Sequence, residues 1–282
     1  MVGLLAATGF VRAFVPVAIA LTTTALGTLL PIMRENGILG GVFGRTVFAA
    51  GAIGEILPIL AISLFLGSEQ TWWEALVIAS IAALAYVLAL VARVLARTRL
   101  ATVVGENQHA TSQLTLRITV VLLVGLLLVT QQFGIEAALG AFFAGMVLRW
   151  TTGANPELDE KLDAVGYGIF IPVFFVSSGM ALDVVSIVEN PLRLLVFLVL
   201  LVVVRGVPAL LIYRRTLDLR ERTALMLLTA TALPLLVALA EIGVSSGIML
   251  PENAAALVGA GVLSVAVFPL LATRLAARTP VA

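Results

Sequence analysis

No cysteine occurs in the 282 residues, and there is one histidine, His109. Disulfides, thiolate metal sites and cysteine nucleophiles are excluded, and a lone histidine in a polar loop leaves no histidine-based metal cluster. Charge is scarce as well: 12% of residues are Asp, Glu, Lys or Arg, and the formal net charge is +1. That balance carries no electrostatic footprint for nucleic acid. A His-Glu-x-x-His pattern, a phosphate loop and a Ser/Lys or paired-Asp constellation at a common depth are all missing. The sequence therefore does not read as an enzyme and implies no cofactor. Met1-Val-Gly-Leu-Leu lacks a basic n-region and does not read as a signal peptide.

What remains is apolar. Hydrophobic residues make up 61% of the chain and the mean hydropathy is +1.14. Repeated apolar runs of about twenty residues predict an all-α polytopic membrane protein in a lipid bilayer, because barrel strands would be short and alternating. Nine spans are expected, at 12–33, 41–66, 71–96, 112–132, 135–151, 164–182, 191–213, 222–242 and 252–275. The longest polar connections are expected at 97–111 and 151–163. One set of loops collects Arg34, Arg45, Arg93, Arg97, Arg99, Arg117, Arg149, Lys161, Arg214, Arg215, Arg220, Arg222, Arg274 and Arg278. The other holds only Arg12 and Arg193 among its bases. By the positive-inside rule the C-terminus is cytoplasmic, and the expected location is the plasma membrane.

Two charges are stranded in apolar runs. Glu55 lies roughly 20 Å along its span from Val42, near the midplane of a ~30 Å hydrocarbon core, and Arg205 sits at a similar depth in its own span. A carboxylate at that depth is a functional-site candidate by default. Arg205 reads as a charge-compensating partner facing the same interior. Two spans also carry helix-breaking residues at this depth: Thr22, Thr23 and Thr24, followed by Gly27 and Pro31, and Thr229, Thr231 and Pro234. An early and a late interrupted span point to an inverted-repeat transporter whose site lies between the breaks.

At these positions the chain resembles the bacterial monovalent cation:proton antiporter family 2, which includes Kef-type potassium and sodium/proton exchangers. The resemblance is carried by Gly44-Arg-Thr-Val-Phe-Ala with Gly-Glu55-Ile, by Gly134-Ile-Glu-Ala-Ala-Leu-Gly-Ala-Phe-Phe-Ala-Gly145, and by Phe170-Ile-Pro-Val-Phe-Phe-Val-Ser-Ser-Gly-Met-Ala-Leu-Asp183. It implies an antiporter fold with two crossed broken helices, Glu55 as the ion- and proton-carrying acid, and Arg205 as the midmembrane base. Glu55 stands where the family usually has Asp, and Gly54 where it usually has Asp, Asn or Gln. The second break lacks the Gly-Gln-Gly-Ser-Glu pattern of Kef-type members. Members have about thirteen helices and this chain matches the last nine, so the expectation is a fragment or a mis-assigned start.

The expected organisation is a transport core at 1–70, dimerisation helices at 71–163, a linking helix at 164–190, and the second core segment at 191–282. The expected activity is exchange of Na⁺ or K⁺ for H⁺, both competing for Glu55, since one negative charge is neutralised by one cation only. Hydroxyls and carbonyls at Thr22, Thr23 and Thr24, with Ser63 a weaker candidate, are expected to coordinate the metal ion through hard oxygen. Arg205 does not deprotonate and Gly54 cannot titrate, so exchange is expected to be electroneutral, one for one. The alternatives are a gated cation channel, or a transport-dead scaffold or sensor on the same fold. A homodimer is expected.

Overall fold

The computed structural model describes residues 14–65, 71–95, 114–133, 137–153, 155–180 and 183–276. All regular structure among them is helical. In order it comprises α1 (Phe14–Leu21), α2 (Leu26–Glu35), α3 (Gly41–Phe65), α4 (Thr71–Leu95), α5 (Leu114–Gln132), α6 (Ala137–Thr152), α7 (Pro156–Val165), a π-turn (Gly166–Phe170) and α8 (Ile171–Met180). Then follow α9 (Val184–Glu189), α10 (Pro191–Leu201), a second π-turn (Val202–Gly206), α11 (Val207–Ile212), a 3₁₀ turn (Tyr213–Arg215), α12 (Leu219–Thr229), α13 (Pro234–Ser245) and α14 (Pro251–Ala276). Eight stretches are long and apolar enough to cross a membrane among the described residues. The chain is thus an all-α polytopic membrane protein. Expectations resting on Arg12, Arg97, Arg99, His109 and Arg278, and on the side chain of Ser63, fall outside what is described.

Within the fifth expected span the described residues form α6, Ala137–Thr152. One sequence expectation needs correction. The connection expected at 151–163 is mostly helix, because α7 starts at Pro156. Asn155 caps it by accepting from Leu158 N–H, Pro156 supplies a preset φ at N1, and Glu157 and Asp159 lie in the positive first turn. Lys161 closes an i,i+4 pair with Glu157 at 2.6 Å. Such a segment is polar and helical at once, so low hydropathy does not mark it as a loop.

The chain divides into two compact units, residues 1–61 with 180–282 and residues 62–179. In the second unit, α5 and α6 approach closely where Gly140 has no side chain: a Cβ there would lie 2.5 Å from Thr130 Oγ1 and 2.7 Å from Leu126 O. At Gly145 on the same helix a Cβ would meet nothing within 4 Å. The outward faces of α4 and α5 present Val94, Val121 and Leu128, which suits hydrocarbon and not water. In the first unit Leu29, Met33, Phe43, Val47, Leu225, Leu228 and Ala272 form a buried cluster tying α2, α3, α12 and α14 together. That cluster fixes the ends of the two interrupted helices, α1–α2 and α12–α13, whose breaks form the site.

Candidate functional site

Helical bonding stops at residues 22–25, between α1 and α2, and at 230–233, between α12 and α13. Backbone freed at such depth needs protein partners. Each break supplies them to the other: Ala25 N–H donates to Thr231 O at 2.8 Å, and the Thr24 hydroxyl donates to Thr229 O at 2.6 Å. Thr24 N–H donates to Gly54 O at 2.9 Å. The Gly54 carbonyl is available because Pro58, four residues later within α3, has no N–H to close the usual helical bond.

This anchoring brings Glu55 to the first break. Its carboxylate accepts from the backbone N–H of Gly27, the second residue of α2. The N-cap residue Ala25 offers no side-chain cap, so Glu55 supplies that acceptor from another helix, at the positive end of the α2 dipole. Glu55 is half-buried, whereas Thr22 and Gly27 beside the break are exposed. The acid is therefore reachable without leaving its helix.

Arg205 bonds to the first break and to α3. Its Nε donates to Thr24 Oγ1 at 2.9 Å and its Nη2 donates to Ala50 O. The residue lies in the π-turn, where Val207 N–H reaches back to Val202 O just before Pro208, which has no N–H of its own. The guanidinium fills the place that a side chain at position 54 would occupy: a Cβ on Gly54 would lie 2.1 Å from Nη2. Glu55 and Arg205 thus have separate partners. The carboxylate takes a backbone amide, while the cation takes a hydroxyl and a carbonyl.

The remaining expected site residues are at the crossing, but their hydroxyl protons point away from it. Thr22 and Thr23 donate to Ile19 O and Ala20 O, both at 2.8 Å. Thr229 and Thr231 donate to Leu225 O at 2.8 Å and Leu227 O at 3.0 Å. A hydroxyl whose proton is committed still has lone pairs to accept with. Pro234 opens α13 as its first residue, where a missing N–H costs nothing.

Three contributions were not predicted from sequence: the amide of Gly27, the carbonyl of Ala50 and the hydroxyl of Ser264. Gly27 and Ala50 act through backbone atoms, which leave no residue-type signal. Ser264 of α14 is fully buried against the second break: Ala232 N–H donates to its Oγ at 3.1 Å, and its hydroxyl lies 3.0 Å from Ala232 O and 2.7 Å from Gly261 O. A lone hydroxyl inside the apolar run of α14 was the available hint.

A family model described as the transmembrane sodium/hydrogen exchanger matches residues 1–278. The putative Na(+)/H(+) antiporter YjbQ of Bacillus subtilis is 27% identical over 277 residues, covering 96% of this chain and 44% of the relative. An Na(+)/H(+) antiporter of Enterococcus hirae is 27% identical over 181 residues, 63% of this chain and 47% of the relative. The glutathione-regulated potassium-efflux protein KefC of an Enterobacter species is 26% identical over 271 residues, 93% of this chain and 42% of the relative. The chain spans less than half the length of each of these relatives.

Proposed function

Because this chain belongs to the transmembrane sodium/hydrogen exchanger family, we propose that it works as the cation- and proton-carrying part of a secondary transporter that exchanges Na⁺ or K⁺ for H⁺. The observation that carries this reading is the position of Glu55. It lies at the crossing of two broken helices, its partner among the described residues is a backbone N–H, and the nearby arginine is bonded elsewhere. A carboxylate neutralised by Arg205 would have little affinity for a second cation; Glu55 is spared that. The cation binds at the carboxylate, with further oxygens from Thr22 and Thr23, whose lone pairs remain available, and from the Thr24 segment, whose own hydroxyl already accepts from Arg205 Nε. Proton and cation compete for the same charge, so the fluxes are coupled as the crossing opens alternately to each side.

The same geometry supports one-for-one exchange. A second titrating acid beside the first would come from position 54, and the Arg205 guanidinium occupies that space. We assign residues 1–70 and 191–282 to the transport core, 164–190 to a linking segment, and 71–163 to a scaffold that forms a homodimer. We place the C-terminus in the cytoplasm, from the distribution of arginines, and the chain in the plasma membrane. The test is made with the full-length protein in proteoliposomes under an Na⁺ or K⁺ gradient, with internal pH and membrane potential both recorded. Cation-dependent pH change without current is expected. Cation current without stoichiometric proton movement would favour a channel instead.

A further inference from the structure

Each unwound amide of the first break has a backbone acceptor: Thr22 and Thr23 reach Ile19 and Ala20, Thr24 reaches Gly54, and Ala25 reaches Thr231. The second break is held differently. Both polar backbone groups of Ala232 face one hydroxyl, that of Ser264, on a helix that belongs to neither interrupted span. Ser264 is 0% exposed. Its own helix offers Gly261 O as an alternative acceptor at 2.7 Å, so the single hydroxyl proton can serve either carbonyl while the oxygen keeps accepting from Ala232 N–H. The approach of α14 depends on Gly261, where a Cβ would stand 2.9 Å from Ala232 O and 3.0 Å from Leu233 Cδ1.

We propose that Ser264, seated by Gly261, is a positioning residue for the ion site: it clamps Ala232 so that the second break stays unwound against the first. This rests on the exchange reading of Glu55 given above. The path is short. Ala232 is bonded to Thr231, Thr231 O receives Ala25 N–H, and Ala25 is the N-cap of the helix whose Gly27 N–H holds the Glu55 carboxylate. Without the clamp, Ala232 loses both partners in a dry interior, and the segment 230–233 shifts the crossing to recover them.

Two readouts on the full-length protein test this. Amide hydrogen exchange in detergent micelles should be roughly tenfold faster at residues 230–233 in Ser264→Ala, the size expected for one lost buried hydrogen bond. In proteoliposomes the same variant should raise the KM for the driving cation several-fold and displace the pH profile, with a smaller change in kcat. Gly261→Ala, which pushes α14 off the break, should do likewise. Thr273→Val is the control, since that hydroxyl donates to Leu270 O within α14, away from the break, and it should leave both readouts as in wild type. Unchanged exchange at 230–233 in Ser264→Ala overturns the proposal. So does faster exchange accompanied by an unaltered KM and pH profile, or an equal effect from Thr273→Val. A wild-type protein that exchanges no cation for protons defeats the transport reading instead, while the amide measurement still reports on the clamp.

Discussion

A methyl group on Gly54 would stand 2.1 Å from Arg205 Nη2 and 2.7 Å from Thr24 Oγ1, so this glycine is needed for space and not for backbone freedom. The nearest obstacle is the far end of a flexible side chain, which can swing away. Gly54→Ala should therefore fold, displace the guanidinium, and change the pH profile of exchange as Arg205→Ala does; the two changes together should add nothing further. An unchanged profile in Arg205→Ala would mean that the arginine never acts on the acid. Thr24 is the other sensitive position, since its buried hydroxyl donates to Thr229 O and accepts from Arg205. Thr24→Val should lower stability by about 1–3 kcal/mol, measured by thermal unfolding in micelles. Glu55 and Arg205 were legible from sequence because a charge in an apolar run is conspicuous. Their partners Gly27 and Ala50 were not, because an amide or carbonyl is common to every residue type.

At the scale of elements, proline explains much of what hydropathy could not. Each π-turn closes on the residue just before a proline, Ile171 before Pro172 and Val207 before Pro208. A wider turn absorbs the missing N–H and resets the helical phase of what precedes it. Pro208→Ala should allow regular helix through 202–206 and turn Arg205 away by up to one residue's rotation, about 100°. Exchange should then fall with the same altered pH profile as Arg205→Ala, while the protein remains folded by circular dichroism. The breaks themselves were legible as Thr-rich segments near glycine or proline. Which groups they pair with was not, since Thr24 and Thr229 are distant in sequence and meet only in the folded unit. Outside the membrane, Asp183 caps α9 by accepting from Ser186 N–H at 3.1 Å and from its hydroxyl at 2.6 Å, and these bonds hold its pKa below the usual carboxylate value. The capped form is thus favoured above the unfolded pKa, about 3.9, and the benefit is lost as pH falls through the lower folded value. Amide exchange in α9 should rise over that acidic window, and Asp183→Ala should abolish the dependence.

On the scale of the whole molecule, composition sufficed for the class: an apolar, cysteine-free, charge-poor chain folds as a helical membrane protein. Helix α7 departed from expectation because a capped, acid-first segment is helical without being apolar. Residue type also could not say whether Glu55 and Arg205 pair with each other; among the described residues they have separate partners, and the proposal that the acid holds a cation rests on that divergence. The central claim is that one carboxylate, Glu55, carries both ions. Glu55→Gln keeps the size and the acceptor for Gly27 N–H while removing the charge, so it isolates that claim from folding. In proteoliposomes of the full-length protein under an outward Na⁺ or K⁺ gradient, internal pH change should be lost in Glu55→Gln and present without current in wild type; cation-driven pH change that persists in Glu55→Gln would contradict the account.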